Sequence, residues 1–128
     1  MIPKISDAEW RIMKLLWDQS PRTSNDIIDI LDDAEDVDWN PKTIKTLLNR
    51  LVKKGALDYD QRGRSYLYYP KASESECRRE ERKSFLRRVY SGSFKPMLAA
   101  FIEDEQLTEE DINELKRILE EKEINKAK

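Results

Sequence analysis

The chain has 128 residues, 38% hydrophobic and 39% charged, which suits one domain, or a small domain with an appended element, and a modest core under a highly charged surface. It has one cysteine, Cys77, and no histidine, which excludes an internal disulfide framework and leaves a zinc or copper site built on Cys and His without a ligand set. A net charge of -2 argues against nucleic acid only as a sum, because residues 1–40 hold 4 basic and 10 acidic side chains, residues 41–71 hold 8 and 2, and residues 72–128 hold 12 and 14, and a polyanion responds to the local field.

Ser6 and Glu9 match a capping box that opens a helix over about residues 7–18. Trp10, Met13, Leu16 and Trp17 are its apolar face, with both tryptophans expected in the core. Thr23 with Asp26 repeats the capping pattern at a second helix, whose inward face is Ile27, Ile28 and Leu31. Residues 32–38 then read as an acidic connection, turned away from any phosphate. Trp39 precedes the next cap as a hydrophobic staple.

The stretch from Asn40 to Gly55 has both helix ends marked. Asn40 suits the N-cap, Pro41 the first helical position, and Gly55 the left-handed C-terminal cap after Lys53 and Lys54. Ile44, Leu47, Leu48, Leu51 and Val52 make a single apolar stripe. The opposite face carries Lys42, Thr43, Lys45, Thr46, Asn49, Arg50 and Lys53, with no acid in a chain where acids outnumber bases. An ordinary solvated face mixes signs, whereas this one suits phosphates and base edges in a major groove. It reads as a DNA recognition helix closing a helix-turn-helix.

After Gly55 the period becomes that of strands. Ala56 to Asp60 alternates, Gln61-Arg62-Gly63-Arg64 is a glycine-bearing tip, and Ser65 to Tyr69 is rich in strand formers before Pro70. A hairpin directly after a recognition helix is the wing of a winged helix, and Arg62 and Arg64 are placed at its tip for the DNA backbone or minor groove. One tyrosine hydroxyl from Tyr66, Tyr68 or Tyr69 is a further candidate for a phosphate, without the sequence selecting which.

The remainder is helical in style. Ser73 with Glu76 starts a helix to about Ser91, with Gly92 as its cap, in which Phe85, Leu86, Val89 and Tyr90 are the apolar part. A second starts at Ser93 and carries Met97, Leu98, Phe101 and Ile102. Thr108 with Asp111 caps a third, whose stripe is Ile112, Leu115, Ile118 and Leu119, with a frayed tail over residues 123–128. Three such helices cannot enclose a core, so a twofold dimer is expected to bury these stripes. The expected architecture is mainly α with a small β-hairpin: a winged helix-turn-helix DNA-binding domain at 1–71 and a helical dimerisation domain at 72–128.

Catalysis is not expected. There is no histidine, no glycine-rich phosphate loop and no nucleophile elbow, and no cofactor is implied. Cys77 lies in a charged helix whose arginines can in principle lower a thiol pKa; without a histidine partner it reads as an incidental thiol. No apolar run approaches membrane-spanning length and no signal-peptide segment opens the chain, so a cytoplasmic protein is expected.

The run Ile5-Ser-Asp-Ala-Glu-Trp10, the run Trp39-Asn-Pro-Lys-Thr-Ile-Lys-Thr-Leu-Leu-Asn-Arg-Leu-Val-Lys-Lys-Gly55, and Gly63-Arg64 with Tyr66 and Tyr69-Pro70 resemble the penicillinase and methicillin-resistance repressors, the BlaI/MecI family. Phe85-Leu-Arg-Arg-Val-Tyr90, residues 101–107 and Asp111-Ile-Asn-Glu-Leu115 extend the likeness over nearly the whole chain. The resemblance implies a dimeric winged-helix repressor of β-lactamase or penicillin-binding-protein genes. In that family a β-lactam acylates a membrane sensor-transducer and the repressor is then cut in its dimerisation region. Here the bond would be Ala100–Phe101, where the best-matched family members have Asn before the phenylalanine. The family's base and phosphate contacts map onto Lys42, Thr43, Thr46 and Arg50. Related copper-responsive repressors carry a C-terminal cysteine cluster that this chain lacks. The partners implied are a double-stranded, pseudo-palindromic operator, a second copy of the chain and the sensor-transducer protease. Two alternatives stay open: a winged-helix repressor of other genes under another signal, and a winged-helix protein-interaction module without DNA specificity.

Overall fold

The computed structural model describes residues 2–34 and 38–127. Its elements run α1 (Asp7–Asp18), α2 (Ser24–Ala34), α3 (Pro41–Lys54), β1 (Leu57–Arg62), β2 (Ser65–Pro70), α4 (Glu74–Tyr90), α5 (Phe94–Asp104) and α6 (Glu109–Ala127). They form two compact units, residues 1–84 and 85–128.

Local chemistry starts each helix of the first unit. At α1 the Glu9 N–H donates to Ser6 Oγ at 3.3 Å and the Ser6 N–H to Glu9 Oε1 at 2.8 Å, the reciprocal capping box. At α2 Thr23 and Asp26 make the same exchange at 3.0 and 3.1 Å. At α3 the Thr43 N–H donates to Asn40 Oδ1 at 2.9 Å, and Gly55 closes the helix at φ 83°, a left-handed conformation that costs glycine little.

The core joins Ile12, Met13 and Leu16 of α1, Ile27 and Leu31 of α2, and Ile44, Leu47, Leu48 and Leu51 of α3 to Leu57 and Tyr68 of the hairpin. Each fully buried aliphatic contributes about 1.5–3 kcal/mol relative to exposure. The tryptophans differ from expectation. Trp10 and Trp17 are half-buried and pack against the core's edge, their ring centroids 5.5 Å apart. An indole N–H needs a partner, and that of Trp17 donates to the Ala72 carbonyl at 3.0 Å, which ties α1 to the segment before α4.

Strands β1 and β2 are antiparallel, with Tyr59 opposite Tyr68 and Arg62 opposite Ser65. Gly63 and Arg64 alone span the tip, with Gly63 at φ 63° in the first central position, as a two-residue type II′ turn requires. Arg22 adds a bridge to Tyr68, with N–H···O distances of 3.1 and 2.8 Å in the two directions. This bridge draws the start of α2 against the wing.

Ala72 and Cys77 are buried in the same core, so the first turns of α4 pack with the first unit. Burial, and then Glu76, push the Cys77 thiol pKa up, the reverse of an arginine-activated thiol. Of the acidic connection expected at 32–38, residues 32–34 belong to α2, and residues 35–37 lie outside the described residues.

In the second unit Thr108 and Asp111 form another reciprocal cap at 3.0 and 3.1 Å, and α6 stays helical through Ala127, where a frayed tail was expected from residue 123. Sustained Glu/Lys-rich composition without glycine or proline favours that continuation. Phe85 stacks on Phe101 at 6.4 Å and meets Tyr90 edge-on at 6.0 Å. Neither α5 nor α6 has a buried residue. Among the described residues, no helix is long and apolar enough to cross a membrane.

Candidate nucleic-acid interface

The apolar stripe of α3 is buried, so its other face must be presented outward. Lys42, Lys45, Thr46, Asn49, Arg50 and Lys53 are exposed and Thr43 is half-buried. Their hydrogen bonding refines the chemistry. The Thr43 hydroxyl donates to Asn40 Oδ1 at 3.2 Å and the Thr46 hydroxyl to the Lys42 carbonyl at 2.9 Å. With their donors engaged, both threonines offer methyl groups and acceptor lone pairs to a ligand, while Asn49, Arg50 and the lysines supply the donors.

A cleft of about 420 Å³ joins this face to its neighbours. Lys45 and Asn49 line it from α3, Arg64, Ser65, Tyr66 and Tyr68 from the wing, and Thr23, Ser24 and Asn25 from the start of α2. Arg64 is thus brought to α3, whereas Arg62 is exposed on the strand end and does not line the cleft. Among the tyrosines, Tyr66 is the exposed one in the cleft, and Tyr68 is buried. Burial, followed by the neighbouring phenols of Tyr59 and Tyr66, pushes the Tyr68 pKa up. Thr23, Ser24, Asn25 and Ser65 were not singled out from sequence. The capping pattern marked where α2 begins, but the Arg22–Tyr68 bridge that turns this end toward the wing is a long-range pairing with no local signature.

The penicillinase repressor family model matches residues 5–121. The chain belongs to the penicillinase repressor family. It is 45% identical over 120 residues to the penicillinase repressor of Bacillus licheniformis, covering 94% of this chain and 92% of that protein. It is 37% identical over 119 residues to the methicillin resistance regulatory protein MecI of Staphylococcus aureus strain N315, covering 93% and 95%. The solution structure of the DNA-binding domain of the repressor BlaI matches with a TM-score of 0.53 at 45% identity, over 59% of this chain and 90% of that one. The B. licheniformis BlaI monomeric form in complex with the blaP half-operator matches over the same shares with a TM-score of 0.50. Membership of the penicillinase repressor family makes this chain a DNA-binding transcriptional regulator with a winged-helix domain, not an enzyme.

Proposed function

We propose that this chain acts in the cytoplasm as a homodimer that seats α3 in successive major grooves of a pseudo-palindromic operator and represses a β-lactamase or related resistance gene. The observation that carries the reading is the outward face of α3: seven polar positions, none acidic, continuous with Arg64 and Tyr66 of the wing. Lys42, Lys45, Lys53 and the wing arginines Arg62 and Arg64 neutralise phosphates and release counterions. Thr43, Thr46, Asn49 and Arg50 read base edges. The blaP half-operator bound by the B. licheniformis relative supports operator recognition of this kind.

The dimer is supported by what α4, α5 and α6 leave uncovered. Val89, Leu98, Phe101, Ile102, Ile112, Leu115 and Leu119 are exposed in the single chain, and Phe85, Leu86, Tyr90 and Met97 are only half-buried. So many exposed large apolar side chains in one helical segment mark an interaction site. Cleavage of the Ala100–Phe101 bond by a membrane sensor-transducer protease would separate α6 from the DNA-binding unit and end bivalent binding. The bond lies within α5, so that helix must open locally before a protease can take it as an extended segment.

Genome-wide occupancy, measured in the host with and without a β-lactam, tests the whole reading. Peaks over a palindrome beside a β-lactamase or penicillin-binding-protein gene are expected, vanishing on drug treatment as the protein is cut. Drug-insensitive specific peaks would remove the antibiotic signal, and an absence of specific peaks would remove operator recognition. On purified protein, Lys53→Ala is expected to weaken binding to all duplexes alike and to lower the salt-dependence slope by about 1. An effect confined to one operator base would show instead that Lys53 reads sequence.

A further inference from the structure

Glu9 is the one charged side chain buried among the described residues, at 1% exposure, and nothing in phosphate or base recognition uses it. Its Oε1 accepts from the Ser6 N–H and from Lys54 Nζ, and Lys54 Nζ also donates to the Lys4 carbonyl at 3.0 Å. Among the described residues no hydrogen bond reaches Oε2. Lys54 is the last residue of α3, immediately before the left-handed Gly55. In the sequence Lys54 is marked only as a residue before that cap. The structure instead turns its ammonium inward, onto the first turn of α1.

We infer that Glu9 is a positioning residue for DNA reading, acting through Lys54 to fix how α3 is presented; the inference rests on α3 being the reading helix. The apolar contacts between α1 and α3 hold the two helices together, but burial of this kind is non-directional. It tolerates small rotations and slides of one helix against the other. The ion pair is directional. One carboxylate oxygen receives both the α1 cap and the α3 terminus, so the start of one helix and the end of the other share a single point. Arg50 lies one turn before Lys54 on a neighbouring strip of the helix. A rotation that frees Lys54 from Glu9 therefore displaces Arg50 in the same sense. Phosphate contacts through flexible lysines survive such a shift, whereas bidentate base contacts do not. The pair should set selectivity and leave the sequence-independent part of binding untouched. Buried polar groups that fix register more than stability have precedent in other folds.

The probes are the duplex that the wild-type protein selects from a randomised pool and a scrambled duplex of the same composition. Both are titrated across a salt series with wild type, E9Q, K54R and the double variant E9Q/K54M, each also melted by circular dichroism. E9Q is expected to lose about tenfold in preference for the selected duplex, the size of one wrong base pair, with scrambled-duplex affinity and salt slope unchanged. K54R should keep the preference, and E9Q/K54M should lose no more than E9Q, because the pair acts as a unit. A lower melting temperature with full preference overturns the inference, as does an equal loss on both duplexes. If E9Q does not fold, the double variant, which leaves no buried unpaired charge, decides by the same readout. If neither folds, the pair is a folding requirement and the inference falls. A wild-type protein that selects no sequence overturns the DNA reading itself, a separate result.

Discussion

Arg50→Ala abolishes sequence-selective operator binding and leaves the winged helix folded: this is the expected result with the largest single-residue effect. Arg50 is exposed on α3, opposite the stripe of Ile44, Leu47, Leu48 and Leu51, so its truncation opens no cavity. Surface truncations of that kind shift stability by within about 0.5 kcal/mol. A bidentate arginine–base contact is worth about 1–3 kcal/mol of discrimination, and a twofold dimer makes it twice. Arg50→Lys separates the two parts of the effect. It keeps the charge, and so the affinity for scrambled duplex, but loses the planar fork that matches guanine. Operator titrations of both variants, with circular dichroism spectra alongside, check the assignment. Unchanged operator affinity for a normally folded Arg50→Ala protein would sink it.

Why Arg50 could be singled out at all lies in how local the signals around it are. Asn40, Pro41 and Gly55 mark the ends of α3 by backbone chemistry that acts within one turn, and the stripe from Ile44 to Val52 fixes which side is buried. What faces outward then follows. The three reciprocal side-chain caps at Ser6–Glu9, Thr23–Asp26 and Thr108–Asp111 were legible for the same reason.

Features that depend on long-range contacts were not. The Arg22–Tyr68 bridge, which adds the N-terminus of α2 to the cleft, joins residues far apart in sequence. Glu9 read only as a capping residue, because nothing near it announces that Lys54 will reach its carboxylate. Burial raises the Glu9 pKa, but the hydrogen bonds from Lys54 and Ser6 outweigh burial and hold it below the usual carboxylate value. Cys77 read as an incidental thiol in a charged helix, yet it is buried where α4 meets the core. A helix with mixed charge on most sides gives little periodic signal for a narrow buried strip. The ends of α2 and α6 ran beyond expectation: Ala34, and Glu123, Lys126 and Ala127, are good helix formers, and neither extension holds a glycine or proline to stop it.

Placing charges in the stripe of α6 should lower operator occupancy as strongly as removing a base contact from both half-sites, and by a different route. Leu119 is 65% exposed in the single chain and Leu115 37%, one turn apart on the same helix. The double substitution Leu115→Asp/Leu119→Asp is expected to give a monomer in sedimentation. Its first unit has its own core and should melt as in the wild type. Binding to a single half-site should be unchanged, because no residue of α3 or the wing is altered. Binding to the full palindrome should fall by about 10²–10⁴-fold, since the second half-site is engaged at the effective concentration set by the dimer. Two outcomes would be decisive against this account. A variant that remains dimeric would exclude the α6 stripe from the interface. A monomer that holds the full palindrome with wild-type affinity would exclude bivalency as the source of occupancy. The same comparison bears on the proposed induction by cleavage, because a cut at Ala100–Phe101 would remove α6 just as the two aspartates would disable it. If loss of the α6 stripe leaves operator occupancy intact, cleavage at that bond cannot be what releases the gene.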